Sequence, residues 1–147
     1  MDRYLYKAKR LDQREFPEKE QWIIGYYVLG FDVCEQPVHL IFEPTSMFFS
    51  HGETDGWTEI DSNTLCRCTG LKDKNEKLIW ENDIVKYGNG NFYKAFWRDT
   101  YYQLSWICVK SDVFPIGSKW DLWSFKSFEI EVIGNIFDNP ELLKSEE

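Results

Sequence analysis

Cys66-Arg67-Cys68 is the one close-set thiol pair in the chain. On an extended strand, residues two apart share a face, so both sulfurs would point at one ligand. Zinc is the chemistry such a pair suggests, with Cys34, Cys108 or His39 available to complete a tetrahedron. Structural zinc sites use Cys-x₂₋₄-Cys pairs, usually twice, whereas this spacing is shorter and has no second copy. Free cysteine is also among the most buried residue types. The pair is read as structural thiols, with no metal and no cofactor.

Two histidines are present, and neither sits beside a thiol in sequence. His39 alternates opposite to Val38 and Leu40, and His51 lies in a polar loop beside Gly52-Glu53. A Cys–His dyad needs spatial contact that spacing does not supply. Both histidines are read as solvated or locally hydrogen-bonded. There is no Gly-rich phosphate loop, no His-Glu-x-x-His and no Gly-x-Ser-x-Gly. Gly88-Asn-Gly-Asn91 has no helix after it and reads as a hairpin turn. No catalytic residue emerges, and the expectation is a protein that is not an enzyme.

The aromatics carry a different message, at 18% of 147 residues with seven Trp. A C-terminal barrel of roughly 70 residues cannot hide them all, because each ring buries on the order of 150–250 Å². Trp97, Tyr101, Trp106, Trp120 and Trp123 are therefore assigned to a partner surface, where Trp and Tyr are enriched. Stacking on nucleic-acid bases is the other use for exposed rings. Lys94, Arg98 and Lys110 would serve it, but Asp99, Asp112 and Asp121 lie among them. Net charge is −8, shared as −5 over residues 1–68 and −3 over 69–147. With no basic half to draw phosphate, a protein partner is favoured over single-stranded nucleic acid. Glu15, Glu18, Glu20, Glu53, Asp55, Glu59 and Asp61 are too sparse for DNA mimicry and read as solvated loops.

The elements that position these groups are mostly strands. Residues 3–11 alternate as a half-buried strand, and Leu11 to Gln21 is a charged connection. Trp22 to Phe31 is apolar on both faces, which asks for cover on both sides. Trp22, Ile24, Tyr26, Val28 and Phe31 are assigned to a self-association interface. Gly25 and Gly30 suggest a bulge or close backbone approach. Val38 to Phe42 is a strand, 45–63 a loop with short pieces of structure, and Leu65 to Thr69 a strand entering the turn-rich stretch Thr69–Lys86.

Beyond it, Ile84–Tyr87 and Phe92–Trp97 flank an Asn-Gly turn as a hairpin. Tyr101 to Val109 alternates, and an irregular aromatic strand surrounds Trp120 to Phe125. Phe128, Ile130 and Val132 alternate inward. Five short strands at this spacing predict a small closed barrel. Asn139-Pro140-Glu141 starts a short helix reaching about Lys144, with Asn139 as its cap. The charged first ten residues lack the apolar run of a signal peptide, and no stretch approaches the roughly 18 apolar residues of a membrane span. A cytoplasmic protein with reduced thiols and no membrane contact is expected.

Thr69-Gly-Leu-Lys-Asp-Lys-Asn75, Ile79-x-Glu-x-Asp-Ile-Val85 and Glu131-Val-Ile-Gly-Asn-Ile-Phe-Asp-Asn-Pro-Glu-Leu142 resemble the YopX family of phage and prophage proteins. Ala8-Lys-Arg and the Trp22 to Val28 segment are similar to the same family, so the likeness spans essentially the whole chain. Glu76 stands where the family commonly has Gly, which suggests a different turn type there. Asn82 replaces another Gly at a position where Asn keeps a left-handed turn. The resemblance implies a mainly β, α+β fold: an N-terminal oligomerisation subdomain over 1–68, then an SH3-like barrel over 69–147. It implies no catalytic residues. The expectation is a phage or prophage accessory protein that forms homo-oligomers and binds an unidentified host or phage protein.

Overall fold

A computed structural model describes residues 4–12, 21–43 and 56–143. Within them the chain is mainly β, in two compact units, Met1–Arg67 and Cys68–Glu147. The expected connection from Leu11 to Gln21, His51 and most of the 45–63 loop lie largely or wholly outside the described residues.

The N-terminal unit contains β1 (Tyr6–Lys9), β2 (Trp22–Phe31), β3 (Pro37–Phe42), β4 (Trp57–Glu59) and the start of β5 (Cys66–Lys72). They pair antiparallel in the order β4-β3-β2-β1-β5. Ala8, Ile23, Ile41 and Ile60 form its core, with Tyr6, Tyr27 and Leu65 packed alongside. These come from alternate strand positions, as a sheet with one packed face requires. Gly25 is a place where only glycine fits, because a Cβ there would stand 2.1 Å from the Phe42 carbonyl oxygen. Gly30 is not so constrained: its nearest neighbour would be 3.8 Å away.

In the C-terminal unit the end of β5 pairs with β6 (Leu78–Trp80). A second sheet runs β10 (Lys119–Asp121), β9 (Gln103–Lys110), β8 (Asn91–Arg98), β7 (Asp83–Tyr87), β11 (Glu131–Asn135). The expected hairpin is β7–β8, with left-handed backbone at Gly88 and Gly90 rather than at Asn89. The core gathers Ile79, Val85, Tyr93, Trp106, Phe125 and Ile130.

Three expectations need correction. The five strands do not form a closed barrel: among the described residues no ladder joins β10 to β11. The segment between those edges is spent in 3₁₀ turns at Leu122–Ser124 and Ser127–Glu129, which insert Leu122, Phe125 and Ile130 beneath the sheet instead of pairing. The second turn also breaks the alternation, so Phe128, expected inward, is 69% exposed. The C-terminal helix is a single 3₁₀ turn, Pro140–Leu143. The Asn139 side chain lies against Gly134, and its oxygen accepts from the Asn135 N–H at 3.2 Å.

Candidate functional site

Two surfaces merit functional attention, one in each unit. In the N-terminal sheet, directly paired residues share a face. Lys9 opposes Trp22 and Lys7 opposes Ile24. Tyr26 opposes Phe42 and Val28 opposes Leu40. Phe42 in turn opposes Trp57, and Leu40 opposes Glu59. These registers assemble an apolar field of Trp22, Ile24, Tyr26, Val28, Val38, Leu40, Phe42 and Trp57. Lysines border it at β1 and a carboxylate at β4.

Ile24, Tyr26 and Val28 remain exposed, Tyr26 by 46%. Lys7 and Lys9 place their ammonium groups 4.6 and 5.4 Å from the Trp22 ring. Phe42 and Trp57 touch at 4.7 Å between centroids. Contiguous exposed apolar surface of this kind marks interaction sites. Four of the five residues assigned to self-association thus stand together. Phe31 does not, since its odd position puts it on the opposite side, where it is 67% exposed.

The second surface is a cleft of about 300 Å³ in the C-terminal unit. Its walls are rings. Tyr87 stacks on Phe125 at 4.2 Å and 6°, and Phe125 stacks in turn on Trp106 at 5.3 Å and 11°. Opposite, Phe114 meets Trp120 edge to face at 5.2 Å. Tyr93 joins the two sides, edge-on to both Trp120 and Phe125. The loop bearing Phe114 is fixed by Ser111, whose hydroxyl donates to Asn91 at 2.7 Å and accepts from the N–H groups of Val113 and Phe114.

Of the five residues assigned to a partner surface, Trp120 lines this cleft. Trp106 does not belong to any surface: it is 0% exposed and donates its indole N–H to the Leu122 carbonyl at 3.1 Å. It faces the packed side of β9, where the sheet needs a large ring to fill the core. Trp97 is half-buried. Tyr101 is exposed beneath the Arg98 guanidinium, 4.5 Å from its ring, and Trp123 is exposed on its 3₁₀ turn. Phe125 belongs to the surplus of rings read from the sequence, whereas Phe114 and Tyr87 do not. Their convergence depends on long-range register, and only Pro115 beside Phe114 hinted at a fixed loop.

The chemistry-bearing residues are dispersed. His39 Nδ1 lies 2.6 Å from the Tyr27 hydroxyl, with the two rings stacked at 5.9 Å and 9°. Cys66 and Cys68 are buried; Cys66 donates to the Thr64 carbonyl, and the Gly70 N–H points at the Cys68 sulfur. Burial pushes the Cys108 thiol above its ordinary range, only partly offset by the Lys110 backbone N–H, so it stays protonated and unreactive at neutral pH. Cys34 is exposed in the β2–β3 turn. Among the described residues no three His, Cys, Asp or Glu side chains converge to hold a metal ion. No described helix is long and apolar enough to cross a membrane.

Residues 42–144 match the family model described as YopX protein, and no curated protein matches the chain.

Proposed function

Starting from a chain that belongs to the YopX family, we propose a non-enzymatic, self-associating module that binds a protein partner. In this reading it is a phage or prophage accessory protein acting in the host cytoplasm. The N-terminal unit joins copies of the chain, and the C-terminal unit, an incompletely closed SH3-like barrel, presents its aromatic cleft to the partner.

One observation carries the reading: the exposed apolar field on β2 and β3, with Lys7 and Lys9 along one border and Glu59 along the other. A two-fold axis turns such a face onto itself, bringing the basic border of one copy toward the acidic border of the other. Isologous contacts of this kind are the commonest way soluble chains associate. Burying the exposed remainder of a side chain such as Ile24, Tyr26 or Val28 contributes about 0.5–1.5 kcal/mol each before association costs.

The alternative, single-stranded nucleic acid, draws support from Arg98 over Tyr101 and Lys110 over Phe92. Asp121 sits 3.9 Å from that same guanidinium, and the net charge of −8 opposes a polyanion. Sedimentation velocity over a concentration series tests self-association. A species heavier than one chain is expected at tens of micromolar, and a monomer throughout that range removes the proposal. Fluorescent oligonucleotides titrated at low salt are expected to show no binding.

A further inference from the structure

The cleft of the C-terminal unit has a chemistry more specific than its aromatic content. Tyr87, Tyr93, Phe114, Trp120 and Phe125 supply rings, and no charged side chain lines it. Among its polar groups are several that can donate to a carbonyl. Among the described residues nothing accepts from the Trp120 indole N–H, which can only donate. The exposed Ser124 hydroxyl is likewise open, and the Tyr87 hydroxyl accepts from the Lys126 N–H while keeping its own proton. A complementary ligand is therefore uncharged, apolar in body and rich in carbonyl acceptors.

We propose that this cleft binds an extended, proline-bearing segment of a partner protein, a proposal that rests on the partner-binding reading above. A polyproline II segment has no internal hydrogen bonds, so its carbonyls are free to accept, and each proline lacks an N–H. Its rings pack against aromatic walls, and its stiffness lowers the ordering cost of binding. At about 300 Å³ the cleft is at the small end of ligand sites and suits a short stretch of such a segment.

Two competing occupants fit worse. An added β-strand would pair along the free edge of β10 and leave the inner wall of the cleft unused, because Tyr87 and Tyr93 lie on β7 and β8, each laddered on both sides. A quaternary ammonium needs open ring faces around it. Here Phe125 is covered by Tyr87 and Trp106, and Tyr93 meets its neighbours edge-on at 88° and 68°. The half-open Phe114 side can thus pack one proline ring, but no cage of several faces surrounds a cation. Ser111 already holds the Phe114 loop in place, so little rearrangement accompanies binding.

The test is an NMR titration of the ¹⁵N-labelled full chain with acetylated, amidated decaproline. The Trp120 indole resonance, assigned by its loss in Trp120→Phe, is expected to move downfield and saturate. Trp120→Phe keeps a ring and loses the donor, and should weaken binding roughly tenfold, equivalent to about 1.4 kcal/mol. Phe114→Ala, on an exposed loop outside the core, should weaken it similarly while leaving the fold intact. No shift at millimolar decaproline, or binding by both variants as tight as the parent's, overturns the proposal. If decaproline is silent but a trimethyllysine peptide moves the cleft resonances, the ligand class falls and the partner-binding reading stands. If neither peptide moves them, both fall.

Discussion

The carboxylate of Asp73 accepts the backbone N–H of Val132 at 3.0 Å, tying the first turn of the C-terminal unit to its last strand across 59 residues. Its other oxygen accepts from Asn75 and Lys77 at 2.8 and 2.9 Å, closing the β5–β6 turn. The Lys74 N–H donates to the Ile130 carbonyl at 2.8 Å beside it. The neighbouring Lys74–Glu131 ion pair is solvent-exposed and adds little. Asp73 is thus a junction between a local turn and a distant strand.

That junction makes stability depend on acid. Burial pushes the Asp73 carboxyl up, but the N–H groups of Val132, Lys77 and Asn75, aided by the Lys77 charge, more than offset it and hold the group below its ordinary value of 3.8. A depressed folded-state pKa gives stability that is fully present above the unfolded value and lost as pH falls through the folded one. Asp73→Asn should cost about 1.5–3 kcal/mol at neutral pH. Urea denaturation of both proteins should show a constant gap at neutral pH that narrows below about pH 4. A gap unchanged at low pH would exclude the carboxylate as its source.

A second consequence comes from two matching turns. Asp32-Val-Cys-Glu-Gln36 and Asp73-Lys-Asn-Glu-Lys77 both use Asp to accept two backbone N–H groups, and both put Glu in left-handed backbone, at φ 60 for Glu35 and 64 for Glu76. Three-residue hairpin loops place a left-handed residue there, normally Gly. Glu is strained by roughly 1–2 kcal/mol, part of which Gly returns as unfolded-chain entropy. Glu35→Gly and Glu76→Gly should each raise stability by roughly 0.5–1 kcal/mol in thermal melts. A loss at either site would mean that its Glu side chain holds the turn.

Those turns show how much was legible. The pattern marked Glu76 as unusual but suggested a changed turn type, whereas the Asp73 hydrogen bonds keep the left-handed geometry despite the Cβ. Strand β2 follows from a run that is apolar on both faces, and the β7–β8 hairpin from its Asn-Gly turn. Phe128 was misplaced because a 3₁₀ turn has no period-two signature and interrupts one that looks regular. Trp106 was misassigned because composition counts rings without saying which the core takes. The cleft as a whole was not legible beyond single rings such as Trp120, since β7, β8, β10, the Phe114 loop and a 3₁₀ turn build it.

Gly25 offers a sharper test of close packing. Its missing Cβ would meet the Phe42 carbonyl at 2.1 Å and Ile41 Cγ2 at 2.9 Å. Backbone cannot yield as a flexible side chain would, so Gly25→Ala should push β2 from β3 and cost about 1–3 kcal/mol or more. Gly30→Ala on the same strand meets only ordinary contacts and should change stability by less than about 1 kcal/mol. Equal effects at the two sites would refute the steric explanation.

Ser105 presents the opposite case. Its hydroxyl is fully buried, and it is the one such side-chain atom without a hydrogen-bond partner among the described residues. Removing it relieves a desolvation penalty of about 1–3 kcal/mol and leaves only a small void. Ser105→Ala should therefore raise the unfolding free energy by about 1 kcal/mol, whereas most buried substitutions lower it. A clear loss of stability would imply that the hydroxyl has a bonded partner in solution.

The apolar field on β2 can be separated from the core by the same kind of measurement. Ile24 and Tyr26 are about half exposed within one chain, so replacing both by Thr removes apolar surface while keeping strand propensity. If the field joins copies, Ile24→Thr/Tyr26→Thr should leave the unfolding free energy at high dilution within about 1 kcal/mol of the parent. Association should weaken by at least roughly tenfold in sedimentation, because both copies lose both side chains and burying the exposed half of each contributes about 0.7–1.5 kcal/mol. Loss of the fold at high dilution would place these residues in a core instead. Unchanged association with the fold intact would move the interface elsewhere.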